Sequence, residues 1–188
     1  MLNVILSPLS YLTIRNAQKA LVDWVYPVVL AAASTWAIFY LGGQGAITGT
    51  GGLIERVLLV CSVLPGFYIA ALAGIATFNR PGMDDVMPAP APKLSARLKG
   101  KKVMVEMTRR RFLSLLFAFL CWESVALMIA CIFGAVLAKG LIAHVPQAMS
   151  HLVVAVCCFI FLLAFWQMIF TTFLGLFYLG DRLHRPTY

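Results

Sequence analysis

Four long apolar runs separated by polar intervals dominate the chain. The runs lie at residues 23–41, Leu53–Phe78, Phe112–Ala138 and Leu152–Gly180. An α-helix needs about 20 predominantly apolar residues to cross the hydrocarbon core of a bilayer, and each run is close to that length or longer. The pattern predicts an all-α membrane protein with four transmembrane helices, arranged as two helical hairpins that a polar loop module joins.

The longest polar interval divides the chain into parts. It extends from Asn79 to Arg111 and contains nine of the fifteen Lys and Arg residues. The predicted parts are an interfacial amino-terminal segment (1–22), a first transmembrane hairpin (23–78), a basic cytosolic module (79–111), a second transmembrane hairpin (112–180) and a cytosolic tail (181–188).

The amino-terminal segment combines a helix-start signal with a two-sided pattern. Ser7 followed by Pro8 suits the cap and first turn of a helix. After this pair, leucines mark one side of the segment, while polar residues such as Arg15 and Lys19 mark the other. We predict a short helix lying in the membrane interface, with a poorly ordered amino terminus as the alternative.

The second apolar run has small residues at helical spacing. Pro65 lies in the middle of the run and is expected to bend the helix. Gly66, Ala70 and Gly74 then recur every four residues, a spacing that lets helix backbones approach closely in lipid. We predict a packing face here, either within the chain or between subunits of a homo-oligomer.

The central module carries two local structure signals. The stretch MPAPAP, which ends at Pro92, is expected to be extended, because proline disfavours helix at its own and at the preceding position. Lys93–Met107 alternates imperfectly around Lys99–Gly100, which predicts a small β-hairpin with its turn at that dipeptide. Thr108 is then a candidate N-cap for the third span.

Composition supports a membrane protein. The chain is 62% hydrophobic and only 12% charged, with a mean hydropathy of +0.91, whereas soluble domains are about half apolar and a quarter charged. A soluble protein of 188 residues could not bury so much apolar surface. The sequence therefore indicates that lipid is part of its solvent.

The distribution of positive charge predicts the orientation. The net charge is +8. Thirteen Lys and Arg residues fall in the two terminal segments and the central module, and only Arg56 and Lys139 fall on the other side. Cytoplasmic loops of membrane proteins carry such an excess. We therefore expect a multi-pass protein with both termini and the module in the cytoplasm.

The basic residues of the module form two candidate groups. One is a docking patch for an acidic partner protein, which comprises Lys93, Arg97, Lys99, Lys101 and Lys102. The other is a membrane-boundary group that would contact lipid phosphates, which comprises Arg80, Arg109, Arg110 and Arg111. No aromatic residue interleaves the basic ones, so stacking on single strands is not indicated and direct nucleic-acid binding is not expected.

Glu123 and Gln167 are candidate intramembrane polar residues, because both lie inside apolar runs. An ionisable group within a membrane is costly and usually faces the protein interior or water. Glu123 could be a proton or ion site, or a trigger that responds to a change in the membrane. Alternatively, it is paired with Arg56, Gln167 or a threonine, or kept protonated.

The chain lacks the motifs of an enzyme. GGQGAITGTGG does not end in the Lys-Ser/Thr of a phosphate-binding loop. The five cysteines show no CxxC or Cys/His metal spacing, and the three histidines are widely separated. We predict a non-enzymatic protein without a metal or cofactor.

One stretch resembles a known family. FYIAALAGIATFNRPGMDDVMP leads through APKL to TRRRFLSLLFAFL, which is similar to the membrane component of the Kiwa bacterial anti-phage defence system. The resemblance in amino-acid sequence covers roughly Pro65–Leu120, and the rest of the chain is similar only in topology. It implies a four-helix protein of the bacterial inner membrane that forms a homo-oligomer, with a tetramer as one candidate state. It also implies that the protein senses phage attack at the envelope and recruits a soluble DNA-binding effector.

Three other functions stay open at this point. A pore-forming or holin-like protein would need a polar stripe through several spans. An accessory subunit of an envelope transport complex would fit the size, although no inverted repeat is evident. An intramembrane enzyme would need paired acids or a nucleophile with its base, which the sequence does not offer.

Overall fold

The structure is a computed structural model that describes residues 6–14, 17–42, 45–77, 84–86, 93–98 and 101–183. It is mostly helical. The elements are a 3₁₀-helix (Ser7–Thr13), α1 (Ala17–Ala20), α2 (Tyr26–Ala37), α3 (Gly45–Thr48), α4 (Leu53–Thr77), strands β1 (Lys93–Leu98) and β2 (Lys101–Glu106), α5 (Arg109–Ala143) and α6 (Gln147–Leu183). One-turn π-helical segments flank α2, at Leu21–Val25 and Ile38–Gly42.

The predicted number of spans is confirmed. By length and composition, four helical stretches can cross a membrane: Leu21–Gly42, Ala46–Thr77, Arg109–Ala138 and Gln147–Gly180. The first of these, α2 with its π segments, has 22 residues, whereas the fourth has 34. We call Leu21–Gly42 the first span, and we call the ends of the spans opposite the central module their far ends.

The spans do not pack in chain order. Helix α4 packs along α5, α5 along α6, and α6 along α2 of the first span. Within the described residues the first span and α4, predicted as a hairpin, share no extended contact. Two side-chain hydrogen bonds also connect α6 to other spans. Trp166 Nε1 of α6 donates to Ser34 Oγ of α2 over 3.1 Å, and the Thr172 hydroxyl of α6 lies 2.6 Å from the Tyr68 hydroxyl of α4.

Regular spacing explains the α4–α5 contact. The buried positions of α4 are Val57, Cys61, Tyr68 and Ile75, which recur at intervals of four and seven residues and so share one face of a helix. Between α5 and α6, a glycine allows close approach. A Cβ atom on Gly175 would lie 2.8 Å from Leu116 Cδ2.

The small residues of α4 lie away from this contact. Gly66 and Ala70 are exposed and Gly74 is half-buried. A Cβ atom on Gly66 would meet nothing within 4 Å. The predicted packing face is therefore not used for close helix packing within a single chain at Gly66.

The amino-terminal segment packs into the bundle. Tyr11 and Ile14 are buried, and the Tyr11 ring stacks on that of Phe119 with 5.1 Å between centroids. A helix lying only in the interface would not require such burial. The segment thus extends the apolar core at the end of α5 that adjoins the central module.

Two connections differ from expectation. The interval between the first two apolar runs is partly helical, because Gly45–Thr48 forms a helical turn, α3. The third apolar run ends at Ala138 in the sequence, but α5 continues through Gly140 to Ala143. A single glycine is tolerated within a helix, and the interruption comes only near Pro146.

The central module contains the predicted hairpin. Strands β1 and β2 pair antiparallel, with Leu98 opposite Lys101 at the end of the ladder. Thr108 caps α5 as expected, because its Oγ1 accepts a hydrogen bond from the backbone N–H of Arg111 at 3.5 Å. The predictions for Arg80, Lys99, MPAPAP and the last five residues of the tail lie outside the described residues.

Candidate functional site

A buried polar cluster begins at the π-helical turn of the first span. This turn places Asp23 in the interior with no exposed surface. Lys19, one turn earlier, donates a hydrogen bond to Asp23 Oδ2. The Tyr11 hydroxyl donates to Asp23 Oδ1 at 3.3 Å. Single π-helical turns occur often at functional sites, and this one brings an acid against two hydrogen-bond donors.

The three side chains also satisfy each other electrostatically. The Lys19 ammonium lies 3.9 Å from the centre of the Tyr11 ring, which is within the range of a cation–π interaction. Burial lowers the pKa of Lys19, and the charge of Asp23 opposes that change. Burial, together with the charge of Asp23, raises the pKa of Tyr11. Tyr11 therefore stays a neutral donor throughout the physiological range.

Glu123 of α5 is the second acid of the cluster. It is 6% exposed, and it lies close enough to Asp23 for the two carboxyl groups to interact electrostatically. Its Oε2 has no hydrogen-bond partner among the described residues. Arg56, one of the predicted partners, lies elsewhere, because its Nε donates to the Gly51 carbonyl at 2.9 Å.

Helix α6 closes the cluster with an amide and a hydroxyl. Gln167 and Thr171 are four residues apart and therefore share one face of the helix; both are buried. Thr171 Oγ1 lies beside the Asp23 carboxylate without hydrogen-bonding geometry. In the part of the chain described here, Gln167 Nε2 likewise has no partner.

This arrangement can hold one further proton, water molecule or small polar contact. Lys19 balances Asp23, so an ionised Glu123 would add a buried negative charge for which the described residues supply no hydrogen-bonded counter-charge. Such a charge costs several kcal/mol unless it is compensated. Within the described ranges, no group of three or more His, Cys, Asp and Glu residues could hold a metal ion. The Oε2 of Glu123, unpartnered among the described residues, makes the cluster suited to protonation or rearrangement.

A second polar contact joins the central module to the bundle. The Arg110 guanidinium binds both carboxylate oxygens of Asp84, at 2.8 and 3.2 Å. Its Nη1 also donates to the Ile75 carbonyl at 3.1 Å, one of the last carbonyls of α4, which lack partners within the helix. We call this contact the Arg110 junction. It ties the end of α4, the start of α5 and the beginning of the module together.

The other predicted site residues lie at the start of α5 and on the hairpin. Arg109 begins α5, and its backbone N–H donates to the backbone carbonyl of Asp85 at 3.4 Å. Arg111 is exposed. Lys93, Arg97, Lys101 and Lys102 lie on the two hairpin strands, where Arg97 pairs with Lys102 in the register. The hairpin thus brings these four positions of the proposed docking patch onto one small sheet.

Sequence reasoning missed three members of the cluster. Lys19 and Asp23 did carry a signal, because opposite charges four residues apart at the start of an apolar helix predict an ion pair. Tyr11 carried none, since its contact with Asp23 depends on how the 3₁₀-helix docks on α5. The sequence singled out Glu123 and Gln167 as polar residues within apolar runs, and the structure buries both.

A comparison of the chain with protein-family models, curated proteins and solved structures found no match. The resemblance to the Kiwa membrane component therefore rests on the residues quoted for it.

Proposed function

We propose that this chain is a sensor and scaffold of the bacterial inner membrane that detects a perturbation of the envelope and recruits a soluble cytosolic effector. In this proposal both termini and the central module lie in the cytoplasm, and the effector belongs to an anti-phage defence complex and binds DNA itself. The charge asymmetry supports the orientation. The resemblance to the Kiwa membrane component supports the biological role.

The observation that carries the proposal is that the buried cluster and the Arg110 junction share helix α5. The cluster contacts α5 at Glu123, and the junction contacts it at Arg110, thirteen residues away along one continuous helix. At about 1.5 Å per residue, the two are separated by roughly 20 Å along the helix. A shift of α5 in the membrane would therefore act directly on the attachment of the module.

The cluster supplies the bistable element that a sensor needs. In the packed state, Tyr11 and Lys19 hold Asp23 while Glu123 stays uncharged. Ionisation of Glu123 would place two like charges close together and favour separation of the 3₁₀-helix from α5. Loss of that contact exposes the apolar face of α5 around Phe119, so that the helix repacks and the Arg110 junction moves.

Assembly into a homo-oligomer is the remaining part of the proposal. The exposed face of α4 at Gly66 and Ala70 supports it, because small residues permit close approach of a second helix in lipid. Sizing of the protein in mild detergent tests this part. A mass that corresponds to a lone monomer would count against the assembly.

Effector recruitment can be tested by affinity capture. The reversal Lys99→Glu, Lys101→Glu and Lys102→Glu should abolish co-purification of a soluble partner, because the proposed patch would become acidic. The matched control carries Arg182→Glu and Arg185→Glu in the carboxy-terminal tail, which should retain the partner. If the triple variant still captures the partner and the control does not, the docking surface lies in the tail instead.

A pore-forming function is the second candidate, and a specific observation favours it. Glu123 Oε2, Gln167 Nε2 and Thr171 Oγ1 lie buried without partners among the described residues, as expected of groups that would line a water path after a rearrangement. Dye leakage from vesicles containing the protein would reveal such a path. A leak that Glu123→Gln changes would favour the pore over the sensor.

A further inference from the structure

An apolar pocket lies at the far ends of the spans, well away from the polar cluster. It has a volume of about 340 Å³ and is formed where α3 meets α4, α5 and α6. Its walls include Ile54 of α4, Gly134 of α5, and Val154 and Phe161 of α6, and Thr48 of α3 lies at its rim. Four elements that are distant in sequence therefore build one concave site.

The chemistry of the wall restricts the ligand to an apolar group. Every described residue that lines the pocket is uncharged, and hydroxyl or thiol groups come only from Thr48, Cys157 and Cys158. A sugar, nucleotide or ion would lose its water shell there without gaining compensating hydrogen bonds, which costs several kcal/mol. A hydrocarbon chain suffers no such loss.

The depth of the pocket identifies the source of that chain. Its α6 residues, from Val153 to Phe161, lie six to fourteen residues inside the start of the helix at Gln147. At 1.5 Å per residue this corresponds to roughly 9–21 Å from the far end of α6. The hydrocarbon core of a bilayer is about 30 Å thick. With the start of α6 at the membrane surface, the pocket therefore lies at the level of the acyl chains, from the far leaflet to the region of the bilayer midplane.

Size and surroundings favour one chain of a larger lipid. The volume is near the lower end of the about 300–1,000 Å³ that small-ligand pockets occupy, too small for a lipid with two chains and its headgroup. Beyond the pocket, towards the far end of α6, the residues become polar: Gln147, Ser150 and His151. A lipid headgroup would lie at that level.

We propose that this pocket binds one acyl chain of a membrane phospholipid from the far leaflet, with the headgroup beside the first two turns of α6. The proposal rests on the pocket alone and is independent of the sensor function and of the effector.

Photo-crosslinking in vesicles tests the proposal. The full chain is reconstituted with phosphatidylglycerol that carries a diazirine in one acyl chain, irradiated and digested, and the labelled residues are mapped. We expect labelling to concentrate at the lining residues of α5 and α6, above that of the exposed α4 face at Leu59 and Val63, which are 71% and 70% exposed. Equal labelling of the pocket and the exposed face would overturn the proposal, because it would indicate ordinary boundary lipid.

Two filling variants provide an independent check. Gly134→Trp and Ala130→Phe each place a bulky side chain in the pocket and should remove the labelling there while leaving the α4 face labelled. Val63→Trp, on the exposed face, is the matched control and should leave the pocket labelled. Circular dichroism identifies any variant that fails to fold. Persistent pocket labelling in both folded filling variants, or its loss in the control, contradicts the proposal.

Discussion

Asp23 shows how one buried acid can be tolerated near a membrane. Its carboxylate is fully enclosed, yet each of its oxygens accepts a hydrogen bond, one from Lys19 and one from Tyr11. A buried ion pair contributes little net stability when it is compared with well-packed apolar residues, but removal of one partner leaves an uncompensated charge. Removal of Lys19 or Tyr11 is therefore expected to cost more stability than the intact ion pair contributes.

This asymmetry predicts opposite outcomes for single and double substitutions. Lys19→Met alone should destabilise the protein by about 3–5 kcal/mol, because Asp23 is left buried without its counter-charge. Lys19→Met combined with Asp23→Leu should recover most of that loss. Thermal unfolding of the purified variants in the same detergent measures both effects. A double variant less stable than the single one would show that the pair is strongly favourable in itself.

Tyr11 predicts a loss of stability at alkaline pH. Its pKa is raised in the folded protein by burial and by Asp23, whereas a tyrosine in the unfolded chain ionises near pH 10. Above that pH the unfolded state binds fewer protons than the folded state, so stability falls as the pH rises, by up to about 1.4 kcal/mol per pH unit for one group. Tyr11→Phe should be less stable at neutral pH but show a shallower decline above pH 10. An unchanged slope would mean that Tyr11 ionises freely.

At the scale of elements, the local sequence pattern is enough to predict the spans, but it is not enough to predict the buried polar cluster. Long apolar runs predict membrane helices wherever they occur, so the four spans and the cap at Thr108 could be predicted. The hairpin at 93–106 needed only a short alternating pattern around Lys99–Gly100. The burial of Tyr11 against Phe119 depends on contacts between distant parts of the chain, which no local signal reports.

The three arginines at the start of α5 also show that local sequence cannot report contacts between distant parts of the chain. Arg109, Arg110 and Arg111 are consecutive and look equivalent as anchors for lipid phosphates. The structure distinguishes them, since Arg110 binds Asp84 and the α4 carboxy terminus, whereas Arg111 is exposed. Only the position of each side chain around the first turn of α5 makes this difference.

The Arg110 junction predicts a local effect of substitution. Arg110→Ala should release the last turn of α4 and the segment around Asp84, because the Ile75 carbonyl and the Asp84 carboxylate lose their donor. Hydrogen exchange should therefore become faster in the last turn of α4 and around Asp84. Arg111→Ala removes an equal charge from an exposed position and should leave both regions as protected as in the wild type. Equal exchange in the two variants would argue against the junction.

At the scale of the whole molecule, the bundle is an open row. The order is first span, α6, α5 and α4, so each outer helix has one long neighbour and one uncovered side. The uncovered side of α4 carries Gly66 and Ala70 together with exposed Leu59 and Val63. Such a row permits association through its outer faces without any change of the interior.

Gly66 offers a clean test of that association. Because a Cβ atom there would meet nothing within 4 Å, Gly66→Leu should leave the thermal stability of a single chain nearly unchanged. If α4 forms a subunit contact, the same variant should reduce the mass of the detergent-solubilised particle. Gly180→Leu, also at an open position, serves as the control and should keep the wild-type mass. Identical masses for all three proteins would exclude the Gly66 face from the contact.

The packing order also bears on how the protein enters the membrane. The first span is synthesised before its main neighbour, α6, which is synthesised last. A carboxylate that becomes buried without a counter-charge is costly, and no later helix is yet present to shield Asp23. Lys19 needs no later helix, because it lies one turn away in the same segment. The ion pair can therefore form as soon as the first span inserts, long before Tyr11, Glu123 and Thr171 are gathered around Asp23.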